Sequence, residues 1–232
     1  MKEIISDIDN WLAEGQQHIA LATVIQTWGS APRKAGGKMA FTGDGQISGS
    51  VSGGCVEGAV IEAGNEVLTT DIPQLLHFGV ADETAWEVGL ACGGIIDVFV
   101  ERLDLDAYAL LRDMVLQEQA GHCVTVLHGP KDSVGNKWIQ AQNGRSLNQL
   151  PSSLNLSISN LPTATQRLQL ANDTELFVEQ FRPAPTLIMV GGVHIAVALT
   201  SMAKTLGFRT IVIDHVPTRG DINTLNDKVT EL

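Results

Sequence analysis

The residues with the strongest case for chemistry lie between Gly49 and Gly64, in the run G-S-V-S-G-G-C-V-E-G-A-V-I-E-A-G. Ser52, Gly53 and Gly54 lead into Cys55. Beyond it Val56, Ala59, Val60, Ala63 and Val67 fall at helical spacing as one apolar stripe. Ser52 has the chemistry of an N-cap, and Glu57 lies in the first turn, where the helix dipole favours an anion. Cys55 is therefore expected at the start of a helix, a position that favours the thiolate, the nucleophilic and metal-binding form of cysteine. Gly53 and Gly54 carry no side chains to hold a ligand away from their N–H groups, so the turn also reads as an anion cradle. The competing reading is a tight strand-to-helix turn around a small, inert, buried cysteine.

A second candidate is the loop W-G-S-A-P-R-K-A-G-G-K, where Arg33, Lys34 and Lys38 sit among glycines. Three cations there suit a phosphate, with arginine supplying a fork of donors; a solvated basic loop is the alternative. It is not a Walker A loop, because Pro32 and Met39 stand where glycine and Ser or Thr are needed. Cys92 adjoins Gly93 and Gly94, and Cys123 falls in an alternating strand, where packing is its expected role. Asp82 and Glu83 read as helix-start residues. The six histidines share no ligand spacing with each other or with the cysteines, so no metal site is expected.

The elements that must position these groups follow from periodicity. Residues 2–14 predict a helix, His18–Thr27 a strand, Lys38–Thr42 with Gln46–Val51 a hairpin, and the stretch to about Thr69 the central helix. Leu75–Phe78 and Ile95–Glu101 read as strands, 104–119 as a helix, and Cys123–Leu127 as a strand. Residues 130–172 are polar and read as a loosely structured extension, with Trp138–Ala141 its clearest strand; Glu175–Phe181 closes the domain. No internal repeat at a fixed period is evident, only an echo of Gly-Gly-Cys at 53–55 in Cys-Gly-Gly at 92–94.

Residues 183–185 form a proline-stiffened linker between a domain at 1–182 and a segment at 186–232. In that segment an apolar strand, Thr186–Val190, turns through Gly191, Gly192, Val193 and His194 into a helix. The next strand ends at Asp214. This is the opening of a dinucleotide-binding domain, with Asp214 placed for a ribose hydroxyl. The fingerprint aligns as Gly191, Val193 and Ala196, and Val193 occupies the close-approach glycine position. The fold expected is α/β: an N-terminal α+β or α/β domain followed by a truncated, Rossmann-like βαβ segment.

Composition narrows the class. The chain has 232 residues, is 44% hydrophobic and 18% charged, and so can bury a substantial core. A formal net charge of −11 argues against broad binding to nucleic acid or a membrane surface. Three cysteines make no disulfide framework, the N-terminus lacks a signal-peptide pattern, and no apolar run is long enough to span a bilayer. A reduced cytoplasmic protein is expected.

Four runs together resemble the XdhC/CoxI family, the xanthine dehydrogenase accessory proteins: T-W-G-S-A-P-R at 27–33, G-S-V-S-G-G-C-V-E-G-A-V at 49–60, F-G-V-A-D-E-T-A-W-E-V-G-L-A-C-G-G at 78–94, and V-G-G-V-H-I-A at 190–196. The resemblance implies a maturation factor that binds molybdenum cofactor (molybdopterin), shields it while its terminal sulfido ligand is installed, and passes it to an apo molybdenum hydroxylase such as xanthine dehydrogenase. It implies cofactor contacts from Ser52, Gly53, Gly54, Cys55, Cys92 and Gly93, with Arg33 and the N–H groups of 53–55 on the phosphate. A cysteine desulfurase partner and a homo-oligomer are further expectations. The chain departs from the family at Val193 and in stopping about halfway through the family's second domain, as a split or truncated member would. Two other classes stay open: an NAD(P)-dependent oxidoreductase using Gly191, Gly192, His194 and Asp214, and a thiol redox enzyme using Cys55 and Cys92. Without a triad, a metal set or a complete nucleotide fingerprint, turnover by the chain alone is not expected.

Overall fold

The computed structural model describes residues 1–29, 33–79, 94–151, 154, 156, 160–170, 173–192 and 194–214. The chain divides into two compact units, Met1–Arg182 and Pro183–Leu232. It is a mixed helix-and-sheet protein, as the alternating periods predict. Among the described residues no helix is long and apolar enough to cross a membrane.

The first unit opens with a short 3-10 turn, Lys2–Ile4, and helix α1 (Ile5–Ala13). Strands β1 (Ile19–Trp28), β2 (Lys38–Thr42) and β3 (Ile47–Gly49) form a meander. Helix α2 (Glu57–Thr70) then leads to β4 (Gln74–Phe78) and β5 (Ile95–Arg102). These strands make an antiparallel sheet in the order β3-β2-β1-β5-β4. Helix α3 (Leu105–Leu116) follows, capped by the Asp104 carboxylate on the Ala107 N–H at 3.0 Å. A second sheet then forms from β6 (Gly121–His128), β7 (Lys137–Ala141), β8 (Ser146–Leu147), β9 (Gln166–Gln169) and β10 (Glu175–Phe181), in the order β8-β7-β6-β10-β9.

The second sheet repeats the first. Thr23 pairs with Lys38 and Phe99 as Thr125 pairs with Lys137 and Phe177. Leu21 lies opposite Glu101 as Cys123 lies opposite Glu179, and the break in register after Val24 recurs after Val126. Even the left-handed backbone positions correspond: Gly36 with Gly135, Gly45 with Gly144, and Gly49 with Asn148. The expectation of no repeat at a fixed period holds, but a structural repeat is present that the echo at 53–55 and 92–94 did not reveal. The copies have no fixed period because the connections between strands differ in length: Thr23 and Thr125 are 102 residues apart, Glu101 and Glu179 only 78. Within 130–172 the expected strand is present as β7, and β8 and β9 lie there too.

The outer face of the first sheet is covered by α2, which sets Val56, Val60 and Val67 against Ala20, Ala22, Val24, Met39, Phe41, Val98 and Val100. Gly64 comes so close that a Cβ there would fall 2.1 Å from the Phe41 ring. The inner faces of the two sheets meet through Ile25, Phe99, Leu127 and Phe177. Between those faces lie two buried ion pairs. Lys38 of the first sheet bonds Glu179 of the second at 2.9 Å, and Lys137 of the second grips both oxygens of Glu101 of the first at 2.8 and 2.6 Å. Thr23 and Thr125 accept from the two ammonium groups. Burial pushes the Glu101 carboxyl up, whereas for Lys137 the adjacent carboxylate outweighs burial and raises its pKa. Both shifts are upward, so burial favours a neutral Glu101 while the carboxylate favours a charged Lys137, and the contact to both oxygens favours the ion pair. Lys38, expected in a solvated or phosphate-binding loop, is instead 2% exposed.

The second unit's described part is a βαβ hand: β11 (Thr186–Val190), α4 (His194–Thr205) and β12 (Arg209–Ile213), with the strands parallel and adjacent.

Removing one partner of a buried pair strands the other charge. Lys137→Met is expected to destabilise the protein by about 3–5 kcal/mol in urea unfolding, whereas Lys137→Met with Glu101→Leu recovers most of that loss. A single variant no less stable than the double would show that the pair is not buried as described.

Candidate functional site

The loop between β3 and α2 is built around one carboxylate. Glu57, the first residue of α2, turns its side chain back over the glycines. Its Oε1 accepts from Ser50 Oγ at 2.6 Å, the Ser52 N–H at 2.9 Å and the Gly53 N–H at 3.0 Å. Its Oε2 accepts from the Gly54 N–H at 2.8 Å and from Ser52 Oγ. Ser52 Oγ in turn accepts from the Cys55 and Val56 N–H groups at 3.0 and 3.2 Å. Ser52 therefore satisfies the last turn before the helix, while the N-cap position belongs to Val56, which corrects the expected start by a few residues.

The cradle of amides inferred from the glycines does exist, but the protein's own Glu57 fills it. The expectation that the N–H groups of 53–55 lie open to a phosphate is corrected accordingly: those of Gly53 and Gly54 serve Glu57, and that of Cys55 serves Ser52. Burial alone would raise the Glu57 carboxyl. The hydrogen bonds from Ser50, Ser52 and the loop amides outweigh it and hold the group down at about 2. This role escaped the sequence reading, because a first-turn glutamate reads as an anion favoured by the helix dipole and not as the partner of the loop before it.

What the loop presents is Cys55. Its side chain is half-buried and packs against the core beneath α2. Gly53 and Gly54 beside it are exposed, with φ of +92° and +120°, so both hold conformations that only glycine adopts readily. Cys123, by contrast, is 1% exposed, and burial pushes its thiol up to about 12; its sulfur lies 3.9 Å from Thr125 Oγ1. Its role is packing, as its alternating context suggests.

Arg33 is engaged elsewhere. Its Nη2 donates to Glu3 of the N-terminal 3-10 turn, and its Nε is buried against Gly37. Cys92, Gly93 and Val193 lie outside the described residues. In the second unit Gly191 has φ +106° and donates its N–H to Ile213 at 2.7 Å. A Cβ on Gly192 would fall 2.6 Å from an Asp214 carboxylate oxygen. The glycine turn and the acid predicted to serve it are thus in contact, and His194 begins the helix beside them, exposed. Among the described residues no group of three or more His, Cys, Asp or Glu side chains is arranged to hold a metal ion.

With this geometry in view, residues 11–79 are seen to match the model of the XdhC and CoxI family. The chain is 32% identical over 213 residues to a Bacillus subtilis (strain 168) protein named as a probable xanthine dehydrogenase subunit, matching 89% of this chain and 62% of that protein. It is 28% identical over 199 residues to the molybdenum cofactor insertion chaperone PaoD of Escherichia coli (strain K12), matching 85% of this chain and 53% of PaoD. A solved structure described as a xanthine dehydrogenase from Bacillus halodurans shares the fold, with a TM-score of 0.64 at 23% identity over 89% of this chain and 61% of that one. The chain thus spans 53–62% of the length of these relatives.

Because the folded Glu57 carboxyl sits below its ordinary value, its stabilisation is complete above about pH 4.5 and is lost as pH falls toward about 2. Wild type is expected to lose more stability than Glu57→Gln between about pH 5 and about pH 2, read from urea midpoints. Parallel pH profiles for the two proteins would show that the carboxylate contributes nothing.

Proposed function

We propose that this chain is a molybdenum-cofactor accessory protein: it binds the cofactor, shields its sulfurated form and delivers it to an apo molybdenum hydroxylase of the xanthine dehydrogenase type. The observation that carries this reading is the half-buried Cys55 thiol, which directly follows two exposed glycines in a loop fixed by hydrogen bonds. Support comes also from the relative named as an insertion chaperone and the one named for xanthine dehydrogenase. The cargo contains a metal that favours soft sulfur ligands, and a thiolate is such a ligand. Ser52 and Glu57 fix the loop, Cys55 meets the metal or its sulfur, and Gly53 and Gly54 admit it. The cofactor's phosphate then lies away from amides 52–54, whose hydrogen bonds Glu57 already takes. Binding and release without turnover are all the chain need do.

Cys55→Ser keeps the size of the side chain and removes the soft ligand. The variant is expected to stay folded and to retain at least about tenfold less molybdenum than wild type after loading and gel filtration, since each tenfold is about 1.4 kcal/mol of lost binding. It should also fail to activate a cofactor-free molybdenum hydroxylase, while Cys123→Ser does both as wild type does. Equal retention and activation by Cys55→Ser would overturn the assignment.

A second reading, nicotinamide dinucleotide binding by the second unit, is favoured by the contact of Asp214 with Gly192 and opposed by Val193 at the close-approach position. NADH is expected to bind, if at all, with a dissociation constant well above the micromolar range in a fluorescence titration; micromolar affinity would restore this reading.

A further inference from the structure

The duplication exposes a difference between the copies. In the first, α2 sits on Ala20 and Phe41, which face each other across β1 and β2. The matching pair across β6 and β7 is His122 and Gln140. Two apolar residues that seat a helix are thus replaced by two hydrogen-bonding side chains. Where α2 would lie, a cavity of about 350 Å³ opens, floored by His122, Val124, Trp138 and Gln140 and walled by Leu150 and Leu161. Its volume is within the range of small-molecule sites, and an apolar wall with a few convergent polar groups is their usual composition.

The lining also selects among ligands. Among the described residues that line it there is no Lys, Arg, Asp or Glu, so nothing there would pair with a phosphate, a carboxylate or an ammonium group. Burial, and then the charge of Arg182, lowers the His122 pKa from its ordinary value and so favours the neutral imidazole. As a neutral imidazole it offers one donor and one acceptor. Gln140 donates one amide N–H to the Ala141 carbonyl at 3.2 Å, which leaves its second N–H and its carbonyl oxygen. The Trp138 indole supplies an aromatic surface, and aromatic side chains stack on flat heterocycles.

We propose that this cavity is a binding site for an uncharged purine base, held by His122 and Gln140 at its polar edge and by Trp138 at its face. A purine base is flat, fits the volume and carries donors and acceptors on its rim. A nucleotide or a phosphorylated pterin brings charge the lining cannot neutralise. The site is separate from Cys55 and does not rest on the molybdenum assignment.

The test is isothermal titration of the full chain with adenine, hypoxanthine and guanine, alongside AMP, GMP and an unphosphorylated pterin. At least one free purine is expected to bind saturably with a dissociation constant on the order of 10–500 μM, as suits a ligand of about ten heavy atoms. Its nucleotide should bind at least about tenfold more weakly, since a buried unpaired charge is costly. Gln140→Phe restores the residue of the first copy and fills the cavity; it should abolish binding while leaving the urea midpoint near that of wild type. Trp138→Leu should weaken binding at least about fivefold through lost stacking, and carries the test if Gln140→Phe does not fold. Cys55→Ser should bind the purine as wild type does, so failure of the molybdenum reading leaves this one standing, and the converse. Absence of saturable binding by every purine, preference for a nucleotide or the pterin, or wild-type affinity in both cavity variants would each overturn the proposal.

Discussion

The first unit depends on two reciprocal ion pairs held between its sheets. Each sheet contributes one lysine and one glutamate to the inner face, and each lysine reaches the glutamate of the other sheet. Burying four charges is costly, and replacing such pairs by hydrophobic residues is often neutral or stabilising. What the pairs supply is position. A one-residue slip in β2 or β7 would turn Lys38 or Lys137 to the outer face and leave a glutamate alone in the core. The phenylalanines and the Ile25–Leu127 contact fill space around the pairs, but an apolar contact tolerates sliding in a way that a contact of Lys137 Nζ with both oxygens of Glu101 does not.

The copies share this frame and differ in what they build on it. Between β3 and β4 the first inserts the Ser50–Glu57 loop and α2, and Cys55 stands at their junction. The second runs from β8 to β9 without an α-helix among its described residues and packs leucines, including Leu150, Leu161 and Leu168, against Val124, Val126, Leu176 and Val178. A shared scaffold with unlike loops is the usual way that function is placed on a fold, since loops vary at little cost once the elements beneath them are fixed. Helix α2 and the cavity thus lie at matching places on the two sheets, one with a helix seated and one without.

Much of this was legible in the residues. The helical stripe behind Cys55, the strands on either side and the βαβ opening of the second unit all follow from apolar periodicity, and the observed bounds differ by a residue or two at most ends. Three features were not legible, each for a physical reason. Lys38 reads as a loop cation because a single residue carries no sign of a partner 141 positions away. The repeat is visible only when Asp97-Val-Phe-Val-Glu-Arg-Leu is set beside Glu175-Leu-Phe-Val-Glu-Gln-Phe. That likeness is short, and unequal connections displace it from any fixed period. Strands β8 and β9 are two and four residues long, too short for alternation to register.

The turn was legible in position and misread in charge. Glycines beside a helix start do mark a cluster of N–H donors, but spacing cannot say whose anion fills it. Here the anion is covalently attached, so it competes at an effective concentration that a dissolved phosphate does not reach. It also makes five hydrogen bonds to the loop at 3.0 Å or less. A ligand phosphate would have to displace all of them and leave the Glu57 carboxylate to find other donors or water. An ionised acceptor with that many donors is costly to move. The carboxylate is therefore part of the loop's structure, and the amides it holds are spoken for before any dissolved anion arrives.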